Sequence, residues 1–511
     1  MTEGKKFTTS DVIDRLGVNG FTWVMFFFLG FAMIFDGYDY MIVNTTNALV
    51  ANTFFPGVAS PGALMGSLTT WSLLGMVIGG AIGGMMSDRF GRKFTLTLCI
   101  FWYGLFTLPQ AFSVNYAMFA AFRLIAGIGV GSCIPVVTTC FSETMPTKNR
   151  GVFVTFGMAF MVFGWVLAGV IGNPIQQHTL SPIIAGMCEP IKVFTKATGQ
   201  WTDSFANWRV AYLIGAVPII YAILLFFFMK ETPAWYVSRG RVDEAVKRLE
   251  ALEQQHGLGD KLVAADLVIP PKPAKQSPST LFNRKYLVGT AAIWVLYSIG
   301  QFCVYGMNTW LPSWFKGIGY TATQAVTLQT WNNVAAIVSN VTVGFISDIV
   351  GRRRNMIFSW VLAAVLILIC ALFVSGPLSG GFLLGAGNNF ALCIVLMLLF
   401  GFALNYSITA VQPLMPEIYP TSIRNMGVSW CQAFARFAGA SSSIVLGAIS
   451  TLPVFCDATG NTLPSAWNTI VLFLIIPFAI AFIASILFVQ KETAGKSMDD
   501  LQTEMEEGQV A

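Results

Sequence analysis

Twelve apolar runs, each near the roughly 20 residues a helix needs to cross a bilayer, leave this chain few ways to fold. They occupy about 21–48, 63–86, 94–112, 117–141, 151–173 and 209–229 in the first half. In the second half they occupy about 286–312, 323–347, 355–374, 389–413, 426–450 and 467–489. The runs at 63–86 and 323–347 are weaker, diluted by glycines or asparagines. Only 11% of the residues are charged and 55% are hydrophobic, whereas soluble globular chains carry about a quarter charged residues. The expected fold is therefore an all-α membrane protein with twelve transmembrane helices.

Residues 1–20 are polar, and the first apolar run is longer than a signal core and lacks a small-residue cleavage site, so it is expected to stay as a span. With the N-terminus inside, 24 of the 30 Lys and Arg fall in cytoplasmic segments, as the bias of basic residues toward cytoplasmic loops requires. Lys192, Lys196, Arg209 and Lys316 fall outside or at the outer boundary, and Arg123 and Arg436 fall within spans. Both termini are thus expected in the cytoplasm, with the chain in the cell (inner or plasma) membrane. The slight basic excess marks topology and gives no reason to expect a nucleic-acid partner. Seven of the nine cysteines lie in spans; Cys188 and Cys456 lie in outer loops, where a disulfide is open in an oxidising compartment. His178 and His256 sit in loops, so a histidine proton relay inside the membrane is excluded. No zinc-type spacing, nucleophile elbow or phosphate loop occurs, and neither an enzyme nor a bound metal is expected.

The chain repeats itself. "GGMMSDRFGRK" (Gly83 to Lys93) closes span two and "GFISDIVGRRR" (Gly344 to Arg354) closes span eight, with Asp88 and Asp348 at an offset of 260. "SETMPTKNRG" and "PEIYPTSIRN" place Glu143, Pro146 and Arg150 against Glu417, Pro420 and Arg424 at an offset of 274. The two halves are therefore six-helix bundles in parallel repeat, 21–229 and 285–490. A cytoplasmic segment (1–20) precedes them, a joint (230–284) links them and a cytoplasmic tail (491–511) follows. The joint opens with an amphipathic stretch, "RVDEAVKRLEALEQQ", whose apolar residues recur at helical spacing, and ends in the linker-like "PPKPAKQSP". In the repeated loops Gly84 is expected to let helices approach, Asp88 to accept from a neighbouring helix N-terminus, and Arg89, Arg92 and Lys93 to meet Glu143 and lipid head groups. Arg150, Asp348, Arg352, Glu417 and Arg424 complete this gating set by repeat.

Inside the spans, polar residues are costly and call for a function. Asp36, Asp39, Tyr40, Asn44 and Asn47 fall within one sector of span one at helical spacing. Tyr297, Gln301, Tyr305 and Asn308 repeat the i, i+4, i+8, i+11 pattern in span seven. Such stripes face packed helices or an aqueous cavity, never lipid. Four ionisable acids and bases lie away from span ends: Asp36, Asp39, Arg123 and Arg436. Spans one and four run in opposite directions, which places Asp39 and Arg123 at similar depth. Attraction to a guanidinium and desolvation act oppositely on a carboxyl, and arginine does not titrate, so the carboxylates are the candidate proton carriers. Arg436, with Gln432 one turn before it, suits a carboxylate ligand held through a planar fork; Asn405 is added as a further polar candidate.

The doubled "GxxxDRxGRK" loop, together with the twelve spans, resembles the major facilitator superfamily over nearly the whole chain. That resemblance implies a central cavity between the halves, whose access alternates as they rock. "DGYD" (Asp36 to Asp39), "WLP" (Trp310 to Pro312) and "FARFAGA" (Phe434 to Ala440) resemble the aromatic acid:proton symporters and related organic-anion carriers. In that group the matching positions Asp36, Asp39, Arg123 and Arg436 are implicated in transport. "RLIAGIGVG" (Arg123 to Gly131), "ETPAWYVSRGR" (Glu231 to Arg241) and "KETAGKSMDDL" (Lys491 to Leu501) resemble the sugar porter branch, but a paired-glutamine motif is incomplete, with Gln301 alone. The leading expectation is a proton-coupled symporter importing a small organic acid, working as a monomer, driven by the proton gradient and needing no cofactor. A sugar or polyol carrier is the alternative, and a non-transporting sensor a weaker one, since the largest soluble segment is the 55-residue joint.

Overall fold

A computed structural model describes residues 7–55, 62–147, 150–177, 207–255, 267, 278–378, 389–415, 417–419, 423–450 and 466–489. Cys188, Cys456, most of the outer loop 174–208 and the tail 491–511 lie outside the described residues. The described chain is helical: α1 (Thr9–Leu16), α2 (Gly20–Phe54), α3 (Gly62–Phe90), α4 (Arg92–Thr107), α5 (Tyr116–Thr144) and α6 (Arg150–Gln177). Then follow α7 (Asn207–Ile214), α8 (Pro218–Phe228), α9 (Pro233–Ser238), α10 (Val242–Gln255) and α11 (Arg284–Gly317). The last five are α12 (Ala322–Val350), α13 (Arg352–Phe373), α14 (Phe390–Val411), α15 (Arg424–Ser450) and α16 (Ala466–Phe488).

Among the described residues nine helical segments are long and apolar enough to cross a membrane. With α12, α15 and α16 they make the twelve spans. The first two of these are diluted by polar residues that turn inward, Gln329, Asn332 and Asn333 on α12 and Arg436 on α15, all buried. Span six is broken where a continuous helix was expected: α7 ends at Ile214, and Pro218 starts α8 at a position where its missing N–H costs nothing. Large apolar side chains such as Phe31, Ile220 and Phe227 remain exposed, as lipid-facing positions do.

Within the first half α3 packs along α5 and α2 along α6; in the second, α11 packs on α15 and α12 on α14. The halves meet where α6 lies on α12 and α3 on α15. The α3–α5 contact is set by small residues one turn apart: a Cβ on Gly79 would stand 1.9 Å from the Ile128 carbonyl oxygen. Backbones this close are how membrane helices gain van der Waals contact without an aqueous hydrophobic effect. The close approach expected of Gly84 occurs one residue earlier, at Gly83, where a Cβ would stand 2.7 Å from Ser132, while Gly84 faces open space.

The face carrying α1, α9 and α10 is here called the near side, and that where α2 ends the far side. The hydrogen bonds tying the halves run from mid-depth to the far side: Thr70 Oγ1 donates to the Ala440 carbonyl (3.1 Å), Asn47 Nδ2 to that of Thr309 (3.4 Å), and Asn173 Nδ2 to Thr327 Oγ1 (3.1 Å). On the near side α1 docks on α10 through Phe7, Val12, Val246, Leu249 and Leu267. Phe7 bridges to Leu267, Arg15 pairs with Glu253 at 2.5 Å, and Asp14 accepts from the Thr147 amide at 2.5 Å.

Candidate functional site

Asp39 and Arg123 are both buried, 1% and 0% exposed, and form an ion pair at 3.2 Å. Arg123 also donates to the Asp39 backbone carbonyl and to Gln110 Oε1 at 3.4 Å, and Thr107 Oγ1 donates to Asp39 Oδ1 at 2.8 Å. The 3₁₀ turn Leu108–Phe112 after α4 supplies Gln110. This ionic cluster belongs to α2, α4 and α5 of the first half. Asp39 Oδ2 lies at ion-pair distance from Arg123 but makes no hydrogen bond, so the carboxylate is incompletely satisfied.

The second cluster lies between the halves. Arg436 of α15 reaches across to α3 and α5, donating through Nη1 to the carbonyls of Met76 and Gly131, each at 3.3 Å. Both bonds leave through one nitrogen, so the other edge of the fork carries no protein hydrogen bond among the described residues. The charges that bear on Asp36 are this guanidinium and then Asp39; Asp36 Oδ1 is buried without a hydrogen-bond partner. Around them stand Tyr40 and Tyr305, edge to face with centroids 5.0 Å apart. Tyr297 donates to Gln432 Oε1 (3.3 Å) and accepts from Gln301 Nε2 (3.0 Å). Gly439 makes room for Tyr305, whose ring is 2.4 Å from where a Cβ would stand.

The stripe on α2 is thus divided. At about 100° per residue, Tyr40 and Asn47 lie within about 40° of Asp36, whereas Asp39 lies about 60° to one side and Asn44 about 80° to the other. The middle of the stripe faces the second half; its margins turn into the first, where Asn44 accepts from Thr69 Oγ1 at 2.8 Å. Asn308 leaves its Oδ1 unpaired and gives its backbone carbonyl to Gln329 Nε2 at 2.5 Å. Asn405 donates to Gly401 in its own helix at 2.9 Å and stands apart from the cluster.

At the near side the two repeats build matching corners. Gly91 (φ 105°) and Gly351 (φ 100°) turn the chain from α3 to α4 and from α12 to α13, a conformation that favours glycine. Arg92 makes three bonds to Glu143 (2.8–3.1 Å) and pairs with Asp88 at 3.2 Å; Arg352 pairs with Glu417. Asp88 is largely exposed, and its backbone carbonyl accepts from Trp235 Nε1; Arg89 offers its carbonyl to Arg239. The N-terminus of α4 is held by Glu231, which accepts from the amides of Arg92 (3.0 Å) and Lys93 (3.1 Å) as helix N-termini favour anions. Burial pushes the Glu231 carboxyl up, and the amides of Thr232, Lys93 and Arg92 pull it down. The side chains of Arg150, Asp348 and Arg424 lie outside the described residues.

Sequence reasoning missed Thr107 and Gln110, which no motif marked, and Glu231, which lay inside "ETPAWYVSRGR" without an assigned partner. It also missed the amides of α12, although their dilution of span eight was the signal. Among the described residues no group of His, Cys, Asp and Glu could hold a metal.

Two bundles joined across a polar, charged seam define a secondary transporter of the major facilitator type. The chain belongs to the Sugar (and other) transporter family, whose model matches residues 24–505. It is similar to the niacin transporter NiaP of Acinetobacter baylyi, 26% identical over 96% of this chain and 98% of that one. It is also similar to the 4-hydroxybenzoate transporter PcaK of the same organism (25% identical; 96% of each chain) and to the gallate transporter of Pseudomonas putida (24%; 86% and 88%). In structure it is similar to the partially occluded, inward-open xylose transporter XylE of E. coli, with a TM-score of 0.68 at 18% identity over 94% of this chain and all of that one.

Proposed function

We propose that this protein is a proton-coupled symporter that imports a small organic acid, with aromatic acids the favoured class, across the cell membrane by alternating access. The observation that carries this reading is Arg436: a buried guanidinium at the seam between the halves with one edge of its fork unused. A carboxylate bound there would gain two parallel charge-assisted bonds and sit against Tyr40, Tyr297 and Tyr305, whose faces and edges suit an aromatic ring. The relatives named for niacin, 4-hydroxybenzoate and gallate support the same class.

Asp39, held by Arg123 and Thr107, is the proposed proton-coupling carboxylate, with Asp36 the one that feels Arg436. The near-side corners, with Asp88, Arg92, Glu143, Arg352 and Glu417, are the proposed gate, 21–229 and 285–490 the rocking units, and the near side the cytoplasmic one. Inter-half bonds that gather at mid-depth and the far side, with Gly84 facing open space, support a conformation open to the cytoplasm. The functional unit is proposed to be a monomer in the lipid bilayer.

The amides Gln301, Asn308, Gln329, Asn332 and Asn333 give a second reading, a sugar or polyol carrier, because amides supply the paired donors and acceptors that hydroxyls take. Uptake into proteoliposomes with an imposed pH gradient separates the two. Uphill, gradient-dependent accumulation of an aromatic acid, with no accumulation of xylose or a polyol, is the expected result. Sugar accumulation without acid uptake overturns the proposal.

A further inference from the structure

The seam has a second polar region that the carboxylate end does not use. Trp165 Nε1 on α6, Asn308 Oδ1 on α11, and Gln329 Oε1 and Asn333 Nδ2 on α12 are all buried and have no hydrogen-bond partner among the described residues. Each residue is 5% exposed or less. Helix register brings them within about one turn of each other. The Asn173–Thr327 bond and the seat of Thr330 against Gly169 run α6 and α12 antiparallel, which sets Trp165 beside Asn333. The bond from Gln329 to the Asn308 carbonyl sets the same stretch of α12 against α11. The Tyr40 ring touches both Trp165 (5.9 Å) and Tyr305 (5.0 Å), so the aromatic pair stands between these groups and Arg436.

Buried polar atoms left unpaired destabilise a fold, and a site built to hydrogen-bond a substrate group discriminates strongly against an analogue that lacks it. We propose that Trp165, Asn308, Gln329 and Asn333 form a selectivity pole that reads a hydrogen-bonding substituent on the ring of the acid, at the end remote from its carboxylate. The inference rests on the organic-acid reading above. Trp165 and Asn333 supply donors; Asn308 and Gln329 supply acceptors. A ring hydroxyl engages both kinds, a ring nitrogen engages the donors alone, and an unsubstituted ring leaves all four unpaired.

The test is equilibrium binding of benzoate, nicotinate and 4-hydroxybenzoate to the purified full-length protein, as wild type, Trp165→Phe and Asn333→Leu. The wild type is expected to prefer 4-hydroxybenzoate to benzoate by about tenfold or more, the worth of one or two good hydrogen bonds. Each variant should lose about tenfold for 4-hydroxybenzoate and nicotinate and keep its benzoate affinity within about twofold, retained benzoate binding also reporting an intact fold. Should Asn333→Leu fail to fold, Trp165→Phe, which removes a single N–H donor, carries the test. Equal losses for benzoate and 4-hydroxybenzoate, or no preference in the wild type, overturn the selectivity pole while leaving the organic-acid reading standing. Binding of none of the three acids by the wild type overturns both.

Discussion

Arg436 lies over Gly80. A Cβ at that glycine would stand 2.8 Å from Nη1, and the next nearest atom, the Gly131 carbonyl oxygen, would be 3.6 Å away. A methyl group at position 80 therefore meets the far end of a flexible side chain and little else. Gly80→Ala is expected to leave thermal stability nearly unchanged and to displace the guanidinium, weakening acid binding. A variant that melts several degrees lower without loss of affinity would mean that Gly80 serves packing alone.

Replacing the fork tests what it holds. Arg436→Lys keeps the charge and loses the planar pair of donors. If the substrate carboxylate sits there, the change should cost on the order of 2–5 kcal/mol of acid binding. The corresponding amide should bind the wild type poorly and be little affected. Comparable losses for acid and amide would assign Arg436 to the Met76 and Gly131 carbonyls and so to joining the halves.

Proton coupling is tested at Asp39. Asp39→Asn keeps the shape that Thr107 and Arg123 grip and removes the carboxyl proposed to carry the proton. Accumulation driven by a pH gradient should disappear, while counterflow exchange, which moves no net proton, continues. Unchanged uphill uptake would pass the coupling role to Asp36. Arg123→Ala, which strands a buried carboxylate, should instead destabilise the fold by about 3–5 kcal/mol.

The near-side corner makes a structural prediction with its own control. Gly91 combines φ 105° with an imagined Cβ 2.2 Å from Glu231 Oε2. Gly91→Ala is expected to cost about 1–3 kcal/mol through backbone strain and to loosen the Glu231 cap on α4. Gly84→Ala, facing open space in the last two turns of α3, should melt at or slightly above the wild type, since alanine favours a helix over glycine. The reverse order of melting temperatures would refute the assignment of the corner.

Much of this was legible because it is local or periodic. Spans follow from runs of apolar residues, and the paired corners follow from a repeat that preserves Gly91 and Gly351 and both Arg–Glu pairs. Asp39 and Arg123 could be matched in depth by counting along two antiparallel helices. What a helical period cannot supply is the neighbour. It gave Asp36, Asp39 and Asn44 one sector, and only packing shows that Arg436, Arg123 and Thr69 divide them. Gln110 reaches Arg123 from a turn that no pattern announces. Trp165 read as one more apolar residue on α6 until Asn333 was set beside it by contacts about 160 residues apart in the chain.

The docking of α1 on α10 has a mechanical consequence. Through Arg15–Glu253, Asp14–Thr147 and the Phe7–Leu267 bridge, the first part of the joint is fastened to the first half of the molecule. Leu281, in the 3₁₀ turn Pro278–Phe282, is buried against Tyr419 and Ile423 of the second half, so the stretch between the two anchored parts runs only from Leu267 to Pro278. At 3.3–3.6 Å per residue it can span at most roughly 36–40 Å. That bound limits how far the two off-centre anchor points can separate, and it leaves the direction of rocking to the contacts along α6–α12 and α3–α15.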